Sequence, residues 1–554
     1  TSILGGTAFA DVKLPAVINV SLGSSFGAHD GTSALEKGLS RLAQGSGRVI
    51  VVAAGNDGSL YGGDIGDYPE PFGIHAEMSV PIDAEVRVPL LTPNVPVDSL
   101  TGAVYVWIAD AQGLGIGFDN GRGARTVLID SGKAGAESSS AWNDADDYDV
   151  VVLNGTDAGQ DISVPQGSAV VAIVGAWKPG RVFDLILSGK GLSQSASPRV
   201  WVQSTSQLGP AFTGTGVLVP RARSGGTVGI PASAPDLIAV GATTNRVSWT
   251  DFTGASVAID RRTVGDLSFF SSAGPNAHGA MKPDVTAPGE FLVAGMSSRA
   301  DPRTSLTGNS QFSSTGPCED SETYCLVVDD EHAVSSGTSM SAPIVTGAVA
   351  LLLSRDPDLT LEGARALLRG GATRVGGETA YGSWVGAGAL DIVGSLLAQD
   401  LAASSEEVAP DAQRTRVSLA STFARPGESL EGFVLLRDAD ELPAGGFDAR
   451  RLELDVTGGT GTVEDVNAGV ARFHVTAGAK SGGKTLSVRV LFDGEELVRE
   501  SIPIGVDPPT ARFGFDAVGG SCAVASTGAP LRGGVFGWLV AFAALGWFRR
   551  KKLA

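Results

Sequence analysis

The sequence predicts an α/β protein, a parallel sheet flanked by helices, interrupted by an inserted β-sandwich and followed by a smaller Ig-like β-sandwich. Three observations carry that prediction. The run Arg48-Val-Ile-Val-Val-Ala-Ala54 is apolar and mostly β-branched, as in a parallel strand covered on both faces. Between about Ser59 and Gly225, short strand-like segments are separated by Gly, Asp, Asn and Pro clusters, with no helical period. Beyond Gln413, Leu452–Val456 and Leu486–Leu491 alternate inward and outward with the period of a half-buried strand.

The elements follow in order. Residues 1–58 and 226–398 carry the α/β texture. Ala16–Ser21 reads as a strand, and Thr32–Ala43 as a helix with Ala34, Leu35, Leu39 and Leu42 on its buried face. With the run ending at Ala54 they make a βαβ unit. In the insert, residues 59–225, strands are expected at Glu77–Pro81, Ala103–Ile108, Thr126–Ile129 and Val150–Leu153, then at Ala169–Val174, Phe183–Leu187 and Val200–Val202. The α/β texture returns with a strand at Leu237–Val240, a helix over Ser341–Leu353 that reads as buried nearly all round, and a second helix over Leu361–Leu368. Residues 399–413 are acidic and rich in Ala and Ser, and read as a linker to the Ig-like domain, 414–508. A second linker, 509–532, precedes a hydrophobic helix and basic tail at 533–554.

A formal net charge of −19 and a pI near 4.7 exclude a nucleic-acid partner, whose phosphates demand a basic face; they suit a protein kept soluble outside the cell. Of the three cysteines, Cys318 and Cys325 lie close enough in sequence to close a small disulfide in an oxidising compartment, and Cys522 is left over. His332 alone does not complete a zinc set with them, so no metal is expected there. The chain opens at Thr1 without a basic and then apolar leader, so no signal peptide is visible, and the start of the gene product is expected upstream.

Gly337-Thr338-Ser339-Met340-Ser341-Ala342-Pro343 carries the most chemistry. A nucleophilic serine needs an exposed hydroxyl and a field that favours developing negative charge. A glycine turn opening an apolar helix supplies both, through free N–H groups and the helix dipole. An ordinary helix-capping serine is the alternative for this heptapeptide alone. Further segments stand around it in a fixed order: Val17–Gly23, Val51–Asn56, Pro231–Gly241, Phe270–Pro275, Lys282–Gly289 and Gly386–Asp391. Together they resemble the subtilisin family of serine proteases. That resemblance implies a subtilisin-like parallel sheet and an endopeptidase acting on protein or peptide substrates. Ser339 would be the nucleophile and Asn56 the oxyanion donor. Ser21, Leu22 and Gly23 would pair with an extended substrate, while Ala53, Ala54 and Gly55 form one wall of its pocket. No cofactor is required, although structural calcium is consistent with such a family.

The sequence departs from the family where the triad's Asp and His should stand, before Val17. No His precedes that residue, and Asp11 lacks an Asp-x-Gly context. Both residues are expected upstream of this chain, which by itself should be inactive. His29 opens the first helix on the wrong side of that order and reads as a residue of a loop or substrate rim. His75, His278, His332 and His474 read as residues of loops or of other domains. The rival reading is a non-catalytic surface or binding protein on a degenerate protease domain. The tail, from Cys522 through the apolar run Val535–Phe548 to Arg549-Arg-Lys-Lys552, resembles a MYXO-CTERM-type sorting signal. That implies a cell-envelope or extracellular location, a C-terminal membrane helix, sorting machinery as a partner and Cys522 as the processing point.

Overall fold

The computed structural model describes residues 14–62, 68–95, 97–155, 164–206, 216–260, 262–297, 326–376, 382–404, 406–479 and 484–505. Cys318, Cys325, Cys522 and the 533–554 tail lie outside them. The chain divides into two compact units. Described residues 14–23, 29–56 and 225–505 form the first, and 24–28 and 57–224 the second.

The first unit is built on four parallel strands in the order β1 (Ala16–Val20), β2 (Arg48–Ala53), β3 (Ile238–Thr244) and β4 (Val285–Glu290). Residues Val49 to Ala53 are all buried, as a strand covered on both faces requires. Helix α1 (Ala34–Ala43) connects β1 to β2, and Ser33 caps it through a reciprocal box with Glu36. Its buried face is not the predicted one. Glu36, Ser40 and Ala43 point inward, while Leu35 and Leu42 are exposed. The Glu36 carboxylate accepts a hydrogen bond from the buried Ser233 hydroxyl at 2.5 Å, which sets the rotation of the helix, and burial raises its pKa.

Helix α2 (Thr338–Arg355) packs on the sheet through Ala342, Val345, Ala348, Val349, Leu352 and Leu353. The opposite face, with Gly347 and Leu351, is exposed, so α2 is buried along one stripe and not all round. Helices α3 (Leu361–Gly371) and α4 (Ile392–Ala403) complete the layer. Gly371 and Gly394 meet backbone to backbone where these two helices cross, leaving no room for a Cβ on either.

The predicted linker is ordered structure. Helix α4 runs through Ala403, and beyond it Val408 exchanges both backbone hydrogen bonds with Gly445. The C-terminal β region has a four-stranded sheet (Arg416–Leu419, Ser429–Leu435, Val470–Ala477, Gly459–Asn467) facing a three-stranded one (Leu452–Thr457, Lys484–Phe492, Glu495–Ile504) over a common core. Along Ser429–Leu435, Leu430 and Val434 enter that core, while Phe433 and Leu435 enter the core of the α/β layer. This strand is therefore covered on both faces, and the β region is an integral wall of the first unit.

A buried ionic cluster crosses the same seam. The Asp284 carboxylate receives Lys282 Nζ at 3.0 Å, Arg369 Nη2 at 2.7 Å and the Ala239 N–H at 2.7 Å, and Arg365 Nε lies 3.0 Å away. Glu431, on the strand Ser429–Leu435, accepts the Met281 N–H at 2.8 Å and faces Arg369 at 3.7 Å.

The second unit is antiparallel throughout its two main sheets. One has six strands, in the order His75–Glu77, Arg199–Ser206, Leu100–Ala109, Ala169–Trp177, Asp147–Asn154, Lys133–Ser138. The other has three, Glu85–Leu91, Val182–Ser188 and Gly115–Asp119. Val106, Val152 and Val171 of the first sheet share a core with Leu90, Phe118 and Leu185 of the second. Predicted strands at 103–108, 150–153, 169–174, 183–187 and 200–202 all fall inside observed ones. Thr126–Ile129 does not form a strand and pairs only through an isolated bridge, Ile116 with Ile129. The strand expected at 77–81 is His75–Glu77. Residues 24–28 join this unit, where Phe26 packs against the Tyr105 and Trp107 rings.

Candidate active site

Ser339 is the second residue of α2, whose N-cap Gly337 offers no side-chain cap. Gly337 has φ +151° and lies under the Asn56 side chain; an added Cβ would stand 3.3 Å from Asn56 Nδ2. The backbone angle favours glycine, and the close approach leaves little room for a side chain. The first N–H groups of a helix have no intrahelical partner, and that of Ser339 makes no hydrogen bond among the described residues.

Asn56 follows β2 across Gly55, and its amide orientation is fixed by Thr338. Asn56 Oδ1 accepts the Thr338 N–H at 2.9 Å and the Thr338 hydroxyl at 3.0 Å, and Thr338 Oγ1 accepts the Gly55 N–H at 3.1 Å. A backbone N–H can only donate, so the oxygen of the amide must face Thr338 and the Nδ2 donors face away. Nδ2 makes no hydrogen bond among the described residues. The site thus presents two unused donors, Asn56 Nδ2 and the Ser339 N–H, at the mouth of a helix.

A second clamp ties the serine turn to β1. Pro343 has no N–H to donate to the carbonyl four residues back, which is that of Ser339. That carbonyl instead accepts the Ser21 hydroxyl at 2.7 Å, and Ser339 Oγ donates to the Ser21 carbonyl at 3.3 Å. Leu22 is 57% exposed beside it. Ser21, Ser339, Asn56 and Gly55 therefore meet in one place. Ala53 and Ala54 are different: their side chains are in the core, and the Ala54 N–H is bonded to Val240 O. Any wall they contribute is backbone.

No Asp, Glu or His hydrogen-bonds to Ser339 among the described residues. His29 is not at a rim. It is fully buried at φ +53°, with Nδ1 2.7 Å from Val228 O. His75, His332 and His474 lie on strands, His75 and His474 outside the α/β layer. No cluster of metal-ligating side chains occurs among the described residues. Thr338 and Pro343 stand in the heptapeptide quoted from the sequence, but the clamp that each makes possible was not read there.

Residues 195–388 match the Subtilase family. The match includes Ser339 but not Asn56 or Ser21. Serine protease AprX of Bacillus subtilis (strain 168) is 30% identical over 175 residues, which cover 31% of this chain and 32% of that protein. The chain thus spans about a third of the length of this curated relative. The structure of the Clostridium perfringens CspB protease is similar over 70% of this chain and 68% of its own, with 22% identity and a TM-score of 0.45. MycP1 from Mycobacterium smegmatis is similar over 30% of this chain and 31% of its own, with 23% identity and a TM-score of 0.17.

The Thr338 clamp is open to test by peptide hydrolysis. Thr338→Val keeps the shape and the backbone N–H but removes the hydroxyl between Asn56 and Gly55. It is expected to lower kcat about tenfold with KM little changed, the loss of one hydrogen bond to a positioning residue. Thr338→Ser should restore most of the rate. Steady-state kinetics on a chromogenic peptide would reject the role if Val and Ser variants behaved alike.

Proposed function

We propose that the protein is a serine endopeptidase of the subtilase type, secreted or held at the cell surface. Ser339 Oγ attacks the scissile carbonyl. The oxyanion that forms takes hydrogen bonds from Asn56 Nδ2 and the Ser339 N–H. Ser21, Leu22 and Gly23 pair with the extended substrate, and Gly55, with the backbone of Ala53 and Ala54, borders the residue before the cleaved bond. The observation that carries this reading is the Thr338 clamp, which leaves the Asn56 amide donors free beside the serine turn.

The general base and its orienting carboxylate come, in this reading, from chain preceding β1. Two features support that. β1 is an edge of its parallel sheet, with Val17, Ile18 and Val20 only half buried. Parallel sheets are ordinarily covered, and a further strand on that edge would approach Ser21 and Ser339. Residues 59–225 and 414–508 are read as β-sandwiches accessory to the protease. No described helix is long and apolar enough to cross a membrane. Anchoring or sorting is assigned to the 533–554 segment, with Cys522 as its processing point, and calcium sites are left to a structural role.

The experiment is Asn56→Ala in the active protein. A missing oxyanion donor acts on the transition state and not on ground-state binding, so kcat should fall about a hundredfold or more with KM nearly unchanged. A loss confined to KM would make Asn56 a substrate contact and overturn the assignment.

A further inference from the structure

Arg365 and Arg369, buried in the seam of the first unit, are answered by the Asp284 carboxylate. Arg374 and Arg416 are not. Both line a cavity of about 400 Å³ between the end of the α/β layer and the C-terminal β region. Neither makes an ion pair or hydrogen bond among the described residues. Arg416 is half buried at the start of the strand Arg416–Leu419, and Arg374 is exposed just beyond α3.

Two like charges therefore face one cavity, and the acids near them, Glu500 in its lining and Glu441, form no ion pair with either among the described residues. Burial, and then the neighbouring Arg374, depress the Arg416 pKa, with Glu441 opposing them. The remaining lining is mixed. Val385, Leu435 and Val498 supply an apolar wall, and Ser418 a hydroxyl. Glu500 lines the cavity too, and burial raises its pKa. The floor is rigid: Gly386 and Gly388 sit at φ +62° and +129°, and a Cβ on either would strike the Asp284 or Thr373 carbonyl.

We propose that this cavity binds a carboxylate carried on a small apolar body, the chemistry of the C-terminal residue of a peptide. The Arg374 and Arg416 guanidiniums would hold the carboxylate, as forked donors do best. The side chain would lie on the Val385, Leu435 and Val498 wall. The cavity is at the small end of ligand sites, enough for one or two residues. A phosphate would meet the same cations but waste the apolar wall.

The test uses the full chain and three probes: N-acetyl-L-leucine, its amide N-acetyl-L-leucinamide, and inorganic phosphate. Calorimetric titration should give saturable binding of the acid only, weakened about tenfold or more in Arg416→Gln, the effect of removing a charged hydrogen-bond donor. Arg374→Gln, at an exposed position, should weaken binding as well and serves if the first variant does not fold. Without ligand, Arg416→Gln should melt no lower than the parent, because it removes a half-buried charge that has no partner. The proposal fails if the amide binds as well as the acid, if phosphate binds more tightly than the acid, or if binding survives both substitutions. A clear drop in the melting temperature of ligand-free Arg416→Gln would also overturn it, by making Arg416 a structural residue.

Discussion

Ser339→Ala is expected to lower kcat in the active protein by about a factor of 10⁶, the size of the loss known when the nucleophile of subtilisin itself is removed. The loss should be all or nothing because the nucleophile and its base act as a unit. Once the hydroxyl is gone, the oxyanion donors proposed at Asn56 and Ser339 would have only a water-driven reaction to stabilise. The same logic applies to the 554-residue polypeptide on its own, where no base reaches Ser339 among the described residues. It should hydrolyse peptides no faster than Ser339→Ala does in the active protein. Robust hydrolysis by the 554-residue chain that disappears with Ser339→Ala would place the base within this sequence. Activity in the full gene product that persists in Ser339→Ala would remove the serine from the mechanism altogether.

The largest effect on stability is expected at Asp284. Its carboxylate is the common partner of Lys282, Arg365 and Arg369, all of them buried. Asp284→Ala would leave Lys282 without its carboxylate, Arg365 with only Glu362 and Arg369 with only Glu431, and breaking a buried cluster in this way costs about 3–5 kcal/mol. Urea unfolding followed by tryptophan fluorescence measures it, and a loss below about 1 kcal/mol would mean that water or Glu431 takes over. The pH dependence has a definite sign. The three cations hold the Asp284 pKa well below its ordinary value of 3.8. The folded state therefore binds its proton less readily than the unfolded one. Asp284's contribution is complete above the ordinary carboxylate range and is lost as pH falls below it, so parent and variant should converge in acid.

The parts of the protein legible in sequence were those whose local pattern has one structural meaning. The run Arg48–Ala54 has the pattern of a strand buried on both faces, and the glycine turn before Ser339 that of a helix start. What could not be read depends on contacts distant in sequence. The apolar count on α1 favoured Leu35 and Leu42, yet the buried Ser233 hydroxyl, nearly two hundred residues away, turned Glu36 inward. Thr126–Ile129 has the composition of a strand but only a bridge to pair with. One signal was present and unused: Leu430-Glu-Gly-Phe-Val-Leu435 does not alternate, which is the pattern of a strand covered on both sides. It would have shown that the β region and the α/β layer share a core. The orientation of Asn56 needed the three-dimensional meeting of β2 and α2, which no spacing announces.

The clamps around the serine turn also decide who adapts when a substrate arrives. Asn56 is held by Thr338, Ser339 is held by Ser21, and the helix beneath is seated on the sheet by six buried side chains. Little freedom is left on the protein's side, so the ordering cost of binding falls almost wholly on the substrate. A segment that is already loose and can straighten beside Ser21 loses only its own backbone entropy. A segment locked in a helix or sheet must first be unfolded. In the proposed peptidase, selection among proteins would then follow the local stability of the target chain as much as its side chains.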